Sequence, residues 1–118
     1  MPRADLNSGV GQLKGRVLSS IEFVQDYLQL RFDGPCLTAY THPVADVATE
    51  RLSWGALGYR DRLCDQIGST VVDAWANEVE VSVGFESGAV ISVSLRDEDY
   101  NGPEALQFTG EDGTVWVG

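Results

Sequence analysis

The seven residues Val79-Glu80-Val81-Ser82-Val83-Gly84-Phe85 alternate between apolar and polar or small side chains, and a second apolar alternation starts at Val90 after the short run Glu86-Ser87-Gly88. Side chains that recur every second residue line one face of a strand, so this pattern predicts two half-buried strands and not a helix. A three-residue loop with glycine at its left-handed position closes such a hairpin. Pairing across it sets Val83 opposite Ile91, Val81 opposite Val93 and Val79 opposite Leu95 on one shared face. That face needs an apolar cover, which makes the rest of the chain the other half of a core.

The first half offers a similar unit. Between Val17 and Phe32 the apolar phase switches, with Val17, Ile21 and Phe23 at odd positions and Leu28, Leu30 and Phe32 at even ones. A tight turn at Gln25-Asp26 accounts for the switch, pairing Phe23 with Leu28, Ile21 with Leu30 and Ser19 with Phe32. The rival is one continuous strand with a bulge. Asp33-Gly34-Pro35 then reverses the chain into a third strand from Cys36 to Thr41, which His42-Pro43 ends, because proline donates no ladder hydrogen bond.

Tyr59, Leu63, Cys64 and Ile67 recur at helical spacing opposite Arg60, Asp61, Arg62, Asp65 and Gln66, which predicts one short helix over Tyr59–Ile67 stopped by Gly68. Further strands are expected at Thr70–Ala76 and at Thr114–Val117, with a short one around Arg51 to Trp54. Pro103 reads as opening a helical turn through Leu106. Residues 1–14, with Asn7, Ser8, Gly9 and Gly11, read as a flexible polar arm, and residues 15–118 as a single domain. The fold class expected is therefore α+β: about seven strands of mainly antiparallel meanders and hairpins, with one short helix packed on the sheet.

Charge narrows the partners. Eighteen acidic against eight basic residues give a formal charge of -10. Such a chain repels phosphate backbones, which argues against DNA or RNA as ligands, whereas the same field speeds encounter with a basic protein. No apolar run of membrane-spanning length and no secretory leader pattern is present, so the expected location is cytoplasmic and no membrane partner is expected.

Candidate chemistry is sparse. His42 is the single histidine, and Cys36 and Cys64 form no close pair, fall on faces expected to be core and read as packing residues, although a disulfide between them stays open. The single lysine, Lys14, lies in no phosphate-binding loop. Asp97, Glu98 and Asp99 with Glu104 could gather oxygen ligands for calcium, but their spacing does not match the helix-loop-helix calcium motif. The chain is therefore expected to be no enzyme and to carry no catalytic residue, no cofactor and no metal. Large rings are enriched at binding hot spots, and Trp54 and Tyr100 sit in polar, loop-like stretches, which makes them the expected exposed anchors.

The run from Gly58-Tyr59-Arg60-Asp61-Arg62-Leu63 to Gly68, followed by Val90 to Ala105 with Arg96-Asp97-Glu98-Asp99-Tyr100-Asn101-Gly102-Pro103 at its centre, resembles a family of small, mostly uncharacterised bacterial proteins. The likeness covers roughly Gly15 to Phe108. Such families are found among the immunity proteins of polymorphic toxin systems, which neutralise a cognate toxin by plugging its active site. The resemblance implies a stoichiometric protein-binding module with a cognate toxin as its basic partner, and it brings no catalytic residues with it. On this reading Trp54, Asp97, Glu98, Asp99, Tyr100 and Glu104 form the contact surface. The alternative is a small-molecule or metal-sensing domain without catalysis.

Overall fold

The computed structural model describes residues 3–99 and 104–118. Ten strands form two five-stranded antiparallel sheets. The first sheet has the order β1 (Ser20–Val24), β2 (Tyr27–Arg31), β3 (Cys36–Ala39), β9 (Leu106–Thr109), β10 (Val115–Val117). The second has the order β5 (Glu50–Leu52), β4 (Val44–Val47), β8 (Val90–Ser94), β7 (Glu80–Phe85), β6 (Val71–Ala76). Two helices, α1 (Arg3–Val10) and α2 (Tyr59–Cys64), complete the α+β architecture.

Register follows the alternation. In the first sheet Ile21, Leu30, Leu37, Phe108 and Trp116 stand in one cross-strand row. In the second, Leu52, Ala45, Ile91, Val83 and Ala74 form the matching row. Both rows feed a common buried cluster, so each sheet turns one face to the core, while the centre of the opposite face is also shielded, with Thr38, Ser82 and Ser92 buried. On the outer face of the second sheet the Ser82 and Ser92 hydroxyls bond across the ladder at 3.1 Å. The sheets are also tied together by backbone: Val17 bridges Thr70, and the amides of Gly15 and Leu18 donate to the Val71 and Ser69 carbonyls.

Both expected hairpins have the predicted pairing. Val83 faces Ile91 and Val81 faces Val93, while Phe23 faces Leu28 and Ile21 faces Leu30 around the turn at Gln25-Asp26. The strand count does not match: ten are present where about seven were expected. The strands not foreseen are β4 and β9, of four residues each, and so short a segment carries too few apolar positions to show a period. Leu106, expected in a helical turn, is a β9 residue paired with Ala39, and Pro103 lies outside the described residues.

The first 14 residues are not a loose arm. They hold α1 and a 3-10 turn at Gly11–Leu13, and Leu6, Val10 and Leu13 are fully buried. These three recur on one helical face, and their burial overrides the poor helix propensity of Asn7, Ser8 and Gly9. The poor formers have tertiary reasons to be there. The Asn7 side-chain carbonyl accepts the Ala76 amide at 2.8 Å on the edge strand β6. Gly9 leaves room for the Trp116 ring, which a Cβ at that position would meet at 2.7 Å.

Two further expectations concern α2. The helix ends at Cys64, short of the Ile67 expected, so Cys64 and Ile67 leave its buried face; Cys64 is exposed and Ile67 is 43% exposed. Cys36 is half-buried. Among the described residues no helix is long and apolar enough to cross a membrane.

Candidate functional site

The best-formed surface feature surrounds the loop between β5 and α2. Gly55 and Gly58 both take left-handed backbone angles, φ 87° and 85°, which side chains disfavour and glycine accepts. Two tight turns result, closed by the Ala56 amide on the Ser53 carbonyl at 3.0 Å and the Tyr59 amide on the Ala56 carbonyl at 3.1 Å. They throw Leu57 outward, 98% exposed, and leave Trp54 45% exposed at the loop's base. An open cleft of about 410 Å³ is lined by residues 54–61.

Burial behind the loop holds it in place. Tyr59 is 2% exposed, and its hydroxyl donates to the Pro43 carbonyl at 2.5 Å, which pins α2 to the start of β4. Burial pushes the Tyr59 phenol up to about 12. Fixing Pro43 also fixes His42, whose imidazole stacks on the Trp54 indole. Tyr59 meets the same indole edge-on, with centroids 6.0 Å apart. The Arg60 guanidinium carbon lies 5.2 Å from the Trp54 centroid and 5.4 Å from that of Phe23 in β1. Trp54 is thus an exposed ring held by neighbours, with little rotamer freedom left to lose on binding.

The acidic residues follow β8. Asp97–Asp99 form a 3-10 turn, Glu98 and Asp99 are exposed and Glu104 is half-buried. The Ser94 hydroxyl donates to the Asp99 carboxylate at 2.6 Å. Tyr100, the second expected anchor, lies outside the described residues. Both stems of this segment are tied to one short stretch of chain. The Thr41 hydroxyl donates to the Ser94 carbonyl at 3.3 Å, and the Tyr40 amide donates to the Ala105 carbonyl at 2.8 Å. His42 is the next residue, so the stretch 40–42 links the roots of the acidic segment to the Trp54 ring stack.

Electrostatics single out Arg60. Ion pairs join Arg16 to Glu111, Arg31 to Glu22, Arg51 to Asp46 and Arg62 to Asp65. Among the described residues no carboxylate stands within ion-pair distance of Arg60. Partial desolvation holds the His42 imidazole below its ordinary pKa. Although Cys64 is exposed overall, its thiol is pushed up, first by partial desolvation and then by the charges of Asp61 and Asp65, which lowers its thiolate fraction. Among the described residues no three His, Cys, Asp or Glu side chains gather closely enough to hold a metal ion.

Trp54 is exposed as the sequence reading expects, but that reading does not anticipate His42, Leu57 and Arg60 beside it. The signal for Leu57 was present in the paired glycines Gly55 and Gly58, which mark a protruding loop around it. His42 and Phe23 come from distant strands, and their approach to Trp54 and Arg60 depends on the tertiary fold. No family model, curated protein or solved structure matches this chain.

Proposed function

We propose that this protein is a stoichiometric binding module of the immunity type, which occludes a basic protein partner without turning anything over. The observation that carries the reading is the locked, half-exposed Trp54, braced by His42, Tyr59 and Arg60 and joined through residues 40–42 to the roots of the acidic segment. Tryptophan, tyrosine and arginine are the residues most enriched at binding hot spots, and a ring already immobilised loses less entropy on docking. The acidic surplus of the chain supplies the steering: a formal charge of -10 raises the encounter rate with a basic surface and suppresses acidic competitors. Asp97, Glu98, Asp99 and Glu104 serve as the charged flank of that contact, and Tyr100, the next residue after Asp99 in sequence, is offered as a second anchor.

The test is co-expression with the product of the adjacent gene, scoring growth rescue and co-purification together. Rescue with a stable complex is expected, and Trp54→Ala should abolish both. Trp75→Ala, at an exposed ring in β6, should leave both intact. Absence of rescue and of complex with the wild-type chain would overturn the reading.

A further inference from the structure

Arg60 braces Trp54, but that role does not use its N–H donors. The chain carries more than twice as many acids as bases, and four other arginines are neutralised by carboxylates. The Arg60 guanidinium lies over both the Phe23 and the Trp54 ring, whereas among the described residues no ring stands over the Arg96 or Lys14 cation. A guanidinium drawn to ring faces by cation–π attraction still carries its N–H donors, whose planar fork matches the two oxygens of a carboxylate.

The cleft beside it has an apolar side and a charged one. Trp54, Ala56 and Leu57 line it together with Gly55 and Gly58, and Leu57 is 98% exposed where it could cover an apolar guest. Its volume of about 410 Å³ falls within the range of small-ligand sites, roughly 300–1,000 Å³. Asp61 also lines the cleft. Its charge opposes a dianion such as phosphate more than a monoanion, and Arg60 can offset a single negative charge.

We propose that this cleft binds a carboxylate carried on an apolar group, with the carboxylate on Arg60 and the apolar body against Trp54 and Leu57. Two sources share that chemistry: a free apolar organic acid, and the C-terminal apolar residue of a peptide. The site does not depend on the protein-partner reading, and either can fail while the other stands.

The experiment is an NMR titration of the full chain, following the Arg60 side-chain Nε–H and the Trp54 indole N–H. The probes are N-acetyl-leucine, 4-methylpentanoate, N-acetyl-leucinamide, acetate and inorganic phosphate at matched ionic strength. At least one of the two branched carboxylates should saturate with a Kd on the order of millimolar, and acetate should bind about tenfold more weakly. The amide and phosphate should give no saturating shift at Arg60. Arg60→Lys, which keeps the charge and loses the fork, should weaken binding about tenfold, and Asp61→Asn should tighten it a few-fold. Binding of N-acetyl-leucine about tenfold tighter than of 4-methylpentanoate would assign the site to a peptide terminus, and equal or reversed affinity to a free acid. The proposal is overturned if the amide shifts Arg60 as the carboxylates do, if Arg60→Lys leaves the Kd unchanged, or if Arg51 and Arg62 respond as strongly as Arg60.

Discussion

The imidazole of His42 lies flat on the indole of Trp54, with ring centroids 4.0 Å apart and planes 8° from parallel. His42 is exposed overall, yet partial desolvation of its imidazole lowers the folded-state pKa below the ordinary value of 6.5, so the unfolded chain takes up this proton more readily than the folded one. The stability contributed by neutral His42 is thus present above the ordinary value and lost as pH falls below it. His42→Phe keeps a stacking ring and removes the proton. Urea midpoints compared between roughly pH 7 and pH 5 should fall more for the wild type than for this variant. Equal falls would show that the stack does not sense the proton.

Tyr59→Phe should cost about 1 kcal/mol at neutral pH, because the hydroxyl lost is the donor to the Pro43 carbonyl. The phenol is raised from 10.0 to about 12, so the unfolded chain ionises first. The stability contributed by the neutral phenol is full below pH 10.0 and is lost as pH rises through about 12. The gap between wild type and variant should therefore close across that window, and a late phenolate absorbance step should vanish in the variant. A constant gap from neutral to strongly alkaline pH would contradict the assignment.

Gly9→Ala sets two effects against each other. Helix propensity alone favours alanine by about 1 kcal/mol. The added Cβ, however, would stand 2.7 to 3.0 Å from three atoms of the Trp116 ring, and overpacking a core costs about 1–3 kcal/mol. The ring is rigid and packed against Phe108, with centroids 5.7 Å apart, so the clash should win and the variant should unfold at lower urea. A stabilised variant would mean that Trp116 can move aside.

Leu57 and Leu63 lie six positions apart in sequence and at opposite extremes of burial, 98% and 0% exposed. Leu63→Ala should lose about 2–5 kcal/mol of stability, whereas Leu57→Ala should change it by less than about 0.5 kcal/mol. A large loss at Leu57 would place it against the body of the protein, contrary to the cleft geometry.

Much of the framework was legible in the chain because alternation is a local signal. Val81, Val83, Ile91 and Val93 declare their face and their register, and the phase switch across Gln25-Asp26 locates a turn that lacks any glycine. The segments that escaped were those whose conformation is decided at a distance. Asn7 and Gly9 resemble a loop until Ala76 and Trp116 are placed beside them. Leu106 and Phe108 are only two apolar positions, and β3 and β10 on either side make them a strand. The candidate site divides in the same way. The exposure of Trp54 follows from the loop composition around it, whereas the clamp on Arg60 needs Phe23, which the sequence places in a different hairpin.

The packing of Gly9 under Trp116 also has a consequence for the order of folding. α1 precedes every strand in sequence, yet it packs on β6 and on β9 and β10, the last two strands of the fold. An eight-residue helix with this composition is marginal without a partner. α1 therefore reaches its final packing only when β6 and the late strands β9 and β10 stand beside it together. In a chain cut before Leu106 its amides should lose much of their protection from hydrogen exchange, and full protection there would show that β6 alone holds the helix.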